Sequence, residues 1–278
     1  MTLDHVGPHH RRVTGPQLGG NARAGSGWLV VEGDESDRTI EHLRPQIAVV
    51  TNVDLDHHSE FRSQAEVEEL FDGWLATVPQ VVRGDELEPF GGELRLAGDH
   101  NRRNAAVALA TLELAGVPVE QAWPVLREFR GAGRRLDERG VADGVRVVDD
   151  YAHHPAEVAA TLAAIHEQTD GRVLVLFQPH LYSRTRHLAR ELGAALAAAD
   201  VVAVTDVYAA REEPLEGVSG KLVVDAVSEH RPGMAVGWTP ALEDGVRFLA
   251  RRVRSGDVVL TIGAGDVERG ADLLLEQL

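Results

Sequence analysis

Cysteine is absent from all 278 residues. That excludes disulfides, thiol catalysis and zinc held by cysteine. Lysine is almost as scarce. Lys221 is the only lysine among the 28 basic residues, and the rest are arginine. A phosphate-binding Gly-x-x-x-x-Gly-Lys-Ser/Thr loop therefore has one place to be. It is not there, because Leu222 follows Lys221 and Leu215 stands where the first glycine belongs. No apolar run approaches the roughly 18 residues that span a bilayer. The opening MTLDHVGPHHRRVTG has no apolar core, so it does not read as a secretory signal, and a cytoplasmic location is expected. Basic side chains are outnumbered by 44 acidic ones, for a net charge of −16. Such a balance repels phosphate backbones and argues against a broad nucleic-acid surface. A small phosphorylated ligand stays open, since local donors and a metal outvote net charge.

What is present is the composition of an ordinary globular protein, 44% hydrophobic and 26% charged. The length suits one large domain or two ordinary ones. Residues 1–27 read as a loose lead-in. Trp28-Leu29-Val30-Val31-Glu32 reads as a buried strand and Ile47–Thr51 as a second. Helical spacing of Val67, Leu70, Phe71, Trp74 and Leu75 predicts a helix over 65–77. Short strand-like pieces fill 81–97, and helices are expected near 100–115 and 119–129. Gly131-Ala132-Gly133-Arg134-Arg135 reads as a hinge. Beyond it strands at 145–149, 172–177, 201–205, 234–237 and 257–262 alternate with helices near 156–168, 185–198, 219–229, 240–253 and 266–277. This alternation predicts an α/β fold with a mainly parallel sheet covered on both faces, and ligands bound beyond the carboxyl ends of its strands.

The polar motifs fall at those ends. Glu32, with Asn52–His58, offers carboxylate and imidazole beside a strand end. That set suits Mg²⁺ held next to substrate phosphates, or is a solvated acidic loop. Gly98-Asp99-His100-Asn101-Arg102-Arg103-Asn104 opens an alanine-rich helix. It reads as a polar or anionic ligand site at a helix N-terminus, or as ordinary capping. Asp149-Asp150-Tyr151-Ala152-His153-His154-Pro155 places two acids and two histidines between a strand and a helix, where burial without a role is costly. Phe177–Arg186 adds Arg184 and Arg186, suited to a carboxylate or phosphate, or else two surface arginines. Gly263-Ala264-Gly265-Asp266 has too little chain after it for the acidic partner of a dinucleotide site.

Taken together, VEGDESD at 31–37, TNVDLDH at 51–57, GDHNRRNAA at 98–106, GAGRRLD at 131–137, VDDYAHHP at 148–155, FQPHLYSRT at 177–185, YAAREEPLEGVSG at 208–220 and GAGDV at 263–267 resemble the Mur ligases. VDDYAHHP with FQPHLYSRT points to the alanine-adding branch of that family. The resemblance implies an ATP-dependent ligase of peptidoglycan precursor synthesis. ATP would phosphorylate the carboxylate of UDP-N-acetylmuramate, and the amine of L-alanine would attack the acyl phosphate. It implies Mg²⁺ contacts at Glu32 and His57, ATP contacts at His100, Asn101, Asn104 and Arg135, an ATP-site acid at Asp150, and a substrate wall of His153, His180 and Arg184. It also implies a partial central ATP-binding domain at 1–129, without the P-loop, and a Rossmann-like C-terminal domain at 130–278.

Departures from the family pattern matter too. The UDP-binding domain and the P-loop half of the central domain have no counterpart in these residues, and GDHN stands where GRHN is expected. The expectation is an N-terminally truncated ligase with little activity alone. The alternative is a non-catalytic remnant, or a subunit that complements a separate chain carrying the P-loop.

Overall fold

A computed structural model describes residues 27–57 and 60–278. Residues 1–26 of the expected lead-in at 1–27, and His58, lie outside the described residues. The chain divides into two compact units, Met1–Gly133 and Arg134–Leu278.

In the first unit, β1 (Ile47–Val50) pairs in parallel with β2 (Gln80–Arg83), joined by helix α1 (Gln64–Leu75). Ser63 caps α1 by accepting from the Glu66 N–H at 3.3 Å. The helix lays Val67, Leu70 and Trp74 against Ala48, Val50 and Phe61, with Ile40 closing the cluster. Helices α2 (Asp99–Leu114) and α3 (Val119–Arg127) complete the unit. One expectation fails. Trp28–Glu32 is not a buried strand: it lies outside any ladder, and Leu29 and Val30 are 52% and 59% exposed. Among the described residues no strand pairs with it, and an apolar run becomes a buried strand only where a ladder and a covering layer exist.

The second unit is a six-stranded sheet in the order β3-β4-β8-β5-β6-β7. Its strands are β3 (Asp137–Ala142), β4 (Val145–Asp150), β5 (Val173–Phe177), β6 (Val201–Val204), β7 (Ala235–Trp238) and β8 (Val258–Ile262). All neighbours run parallel except β3, which pairs antiparallel with β4. The strand β3, DERGVA, escapes the sequence pattern because it is polar and half-exposed at the edge. Intervening helices are α4 (Pro155–His166), α5 (Tyr182–Leu196), α6 (Lys221–His230), α7 (Leu242–Ala250) and α8 (Glu268–Gln277). The period of two along β5 sorts the core. Val173, Val175 and Phe177 pack with α4, α5 and α6, whereas Leu174 and Leu176 pack with α7 and α8. Both faces are therefore buried, as a parallel sheet requires. Among the described residues no helix is long and apolar enough to cross a membrane.

Candidate active site

Four loops of the second unit leave the carboxyl ends of β4, β5, β6 and β8, and they are tied to one another by side chains. Arg134 is the main tie. Its guanidinium donates to Asp149 at 2.9 Å, to the Gly263 carbonyl at 2.7 Å and to the Gly265 carbonyl at 3.1 Å, and lies 3.1 Å from Glu268. It also stacks 5.0 Å from the Tyr151 ring. Asp149 is fully buried and accepts from Thr261 at 2.6 Å. Burial raises its pKa above the usual carboxylate range, against the pull of Arg134 and Thr261. Backbone strain collects here. Arg134 and Leu136 take φ of 60° and 47°, and Leu181 takes 68°. Such conformations cost on the order of 1–3 kcal/mol each and persist only where surrounding bonds hold them.

Asp150 is also buried, and burial raises it. Its oxygens accept from the Leu136 N–H at 2.8 Å, the Ala152 N–H at 2.9 Å and the Thr161 hydroxyl at 3.1 Å. The carboxylate thus fastens the strand end to the Arg135-Leu136 turn. Arg135 lies at the rim, its side chain 46% exposed, 3.3 Å from Glu157 and 5.5 Å from the Tyr151 ring.

The structure brings His153, His180 and Arg184 together. The two imidazoles lie 5.9 Å apart, centroid to centroid. Arg184 is buried and its guanidinium sits 2.9 Å from His180 Nδ1. The other face of His180 stacks on Tyr208, with centroids 5.8 Å apart and 13° between planes. Tyr208 is itself bracketed by backbone bonds with Pro179 and Leu181. His153 Nδ1 lies 3.0 Å from the Tyr151 carbonyl and 3.5 Å from Glu157. Burial works to raise Glu157, but His153, Arg135 and the N–H groups of His153 and His154 outweigh it and hold its carboxyl below the usual range. His154, by contrast, is spent locally. It caps α4 in a reciprocal box with Glu157, and Pro155 sits in the first turn.

Sequence reasoning passed over several residues of this rim. Gln178 bridges to Asp266 at 2.8 Å and accepts from the Val267 N–H, which draws the last loop onto the β5 loop. The approach is close enough that a Cβ on Gly265 would collide with Gln178 and the Tyr208 ring. Glu212 accepts from the Ser183 N–H at 2.9 Å and bonds its hydroxyl, pinning the long β6 loop to the start of α5. The missed signal for Arg134 was the pair Asp149-Asp150. Two adjacent acids at a buried strand end need a cation and several donors.

In the first unit the expected ligands are less assembled. Glu32 lies in the exposed segment outside any ladder. His57 Nε2 is 3.5 Å from Glu35 and 3.8 Å from Asp56. Among the described residues no three His, Asp or Glu side chains converge as metal ligands do. Mg²⁺ beside substrate phosphates takes only one or two protein ligands, so Glu32 and His57 would hold it together with ligand oxygens and water. At the start of α2 the N-cap is Gly98, which has no side chain to cap the helix. Asn101 donates to the Ala97 carbonyl at 2.7 Å, His100 is half-buried and Asn104 is exposed.

Comparison with known proteins decides the family. The family described as "Mur ligase, glutamate ligase domain" matches residues 134–265. A UDP-N-acetylmuramate–L-alanine ligase of Pelotomaculum thermopropionicum is 36% identical, over 94% of this chain and 68% of that protein. Its counterpart in Mycolicibacterium smegmatis is 38% identical, over 99% of this chain and 69% of that protein. The chain belongs to the UDP-N-acetylmuramate–L-alanine ligase family. Members of this family are ATP-dependent ligases of the Mur type. The crystal structure of MurC from Thermotoga maritima shares the fold, with a TM-score of 0.71 at 24% identity, over 93% of this chain and 65% of that one. This chain thus spans about two-thirds of the length of these ligases. The Pelotomaculum alignment runs over 313 positions, more than the 278 residues here, so that ligase carries internal segments that this chain lacks.

Proposed function

We propose that Arg134–Leu278 carries the amino-acid side of a ligase reaction, in which the carboxylate of UDP-N-acetylmuramate is joined to L-alanine by way of an acyl phosphate. The observation that carries this reading is the meeting of His153, His180 and Arg184 from two strand ends. A buried guanidinium braced on one side suits a carboxylate, and Arg135 at the rim suits a departing phosphate. Such a site acts by holding amine and acyl carbon in line and by excluding water from the acyl phosphate. Asp150 enters through its hold on Leu136, which fixes Arg135 beside it.

ATP, when bound, supplies the phosphoryl group. The contacts proposed for it in the first unit are His100, Asn101 and Asn104, with Glu32 and His57 toward Mg²⁺. In the absence of a P-loop lysine, those contacts are few for phosphoryl transfer. The expected outcome is little or no alanine-dependent phosphate release when the purified chain is given MgATP, UDP-N-acetylmuramate and L-alanine, against a control lacking alanine. Clear alanine-dependent release would show that ATP is held without a P-loop. The single lysine outside any P-loop also favours a second reading, a subunit completed by another chain. Release restored by adding a Mur-type chain that bears Gly-Lys-Thr would support it. We place the reaction in the cytoplasm, where nucleotide-linked precursors are made.

A further inference from the structure

The hydrogen bonds made by the two site histidines fix different protons on them. A backbone carbonyl only accepts, so the 3.0 Å contact between His153 Nδ1 and the Tyr151 carbonyl requires a proton on Nδ1. The lone pair of neutral His153 is then on Nε2. A guanidinium only donates, so the 2.9 Å contact between Arg184 and His180 Nδ1 requires a lone pair on that nitrogen. The proton of neutral His180 is then on Nε2. Their surroundings agree with this division. Behind His153 stands a carboxylate, Glu157, 3.5 Å from Nδ1. Behind His180 stands a buried cation, the Arg184 guanidinium.

We propose that His153 and His180 are held in opposite tautomers and divide the chemistry between them, His153 Nε2 taking the proton of the attacking amine and His180 Nε2–H donating to the oxygen that gains charge. The assignment of roles rests on the ligase reading above; the tautomers do not. In the step proposed, the amine nitrogen forms a bond to the acyl carbon and the bond from that carbon to the phosphate oxygen breaks. Phosphate leaves with the electron pair, and the amine proton passes to His153 Nε2. His180 gains and loses no proton. Glu157 holds the resulting imidazolium, so it is a positioning residue.

The test is nitrogen NMR on the full chain labelled with ¹⁵N-histidine, with no substrate present, at a pH where both rings are neutral. The expected result is a pyrrole-type Nδ1 with a pyridine-type Nε2 for His153, and the reverse for His180. His153→Gln and His180→Gln assign the signals by deleting one pair each; where either variant fails to fold, backbone-correlated assignment of the unsubstituted chain replaces it. Arg184→Met is expected to release the His180 preference into a mixture while leaving His153 unchanged. The same tautomer on both rings, or the reverse assignment, overturns the proposal. Because no substrate is used, a chain that proves inactive leaves this result standing, and a wrong tautomer leaves the ligase reading standing.

Discussion

The two units solve the same problem with unequal means. In Arg134–Leu278 six strands lie between two helical layers, and each alternate residue of β5 meets a different layer with none of it exposed. In Met1–Gly133 the described sheet has two strands, and Val49 and Val81, one on each, remain 42% and 37% exposed. Parallel pairing is useful only when both faces are covered. The difference teaches that apolar strand sequence is a demand for partners, and that Trp28–Val31 has the sequence with no partner strand among the described residues.

The largest expected effect is in local stability. Brief protease treatment, or hydrogen exchange, is expected to attack the described part of the first unit well before β4, β5 or β8. Few buried apolar contacts mean low opening free energies. Equal protection of the two units would break the comparison.

Next in size is the tie at the sheet end. Arg134→Ala leaves Asp149 fully buried without its cation. Breaking such a pair costs about 3–5 kcal/mol. The neighbouring Arg135→Ala, whose pair with Glu157 is half in solvent, is expected to cost under about 1 kcal/mol. Denaturant midpoints of the two variants measure the contrast. Similar losses for both would show that burial is not what separates these arginines.

Those two arginines also show what was legible in the sequence. Family resemblance points to Arg135, whereas Arg134, the better anchored, sits inside a stretch that reads as a hinge. Alternation of apolar runs and helical periods made the second unit readable almost element by element, because burial on both faces leaves a strong signal. Edge strand β3 left none, being polar and held by β4 alone. Trp28–Glu32 misleads for the opposite reason: its local pattern reads as a strand, but no strand among the described residues pairs with it. Within the site, His153, His180 and Arg184 could be named from motifs. The ring stack of Tyr208 and the bridges Gln178–Asp266 and Ser183–Glu212 join loops far apart in sequence, and no local spacing marks them.

A smaller effect follows from Glu157. Its carboxyl lies below its ordinary range when folded, so it contributes stability that is present above its unfolded pKa of about 4.3 and is lost as pH falls through the lower folded value. Asp149 and Asp150 have the opposite sign, since burial raises both and their ionisation weakens the fold as pH rises. In Glu157→Gln the part of the acid-side loss due to Glu157 is expected to disappear, leaving a flatter stability curve below pH about 4. An unchanged acid limb would mean that Glu157 is no better held in the folded chain than in the unfolded one.

The smallest effect tests the first unit where it is most open. Val81→Thr keeps a β-branched side chain, so strand propensity changes little. The added hydroxyl reaches solvent, because more than a third of the residue is already exposed. The expected change is within about 0.5 kcal/mol of zero. A clear loss, read as a fall in the denaturant midpoint of the first unit, would mean that β2 is covered in solution by something more than the described residues supply. Such cover would come either from a second chain or from the segment outside them. Concentration dependence of the midpoint separates the two, since only an intermolecular cover is diluted away.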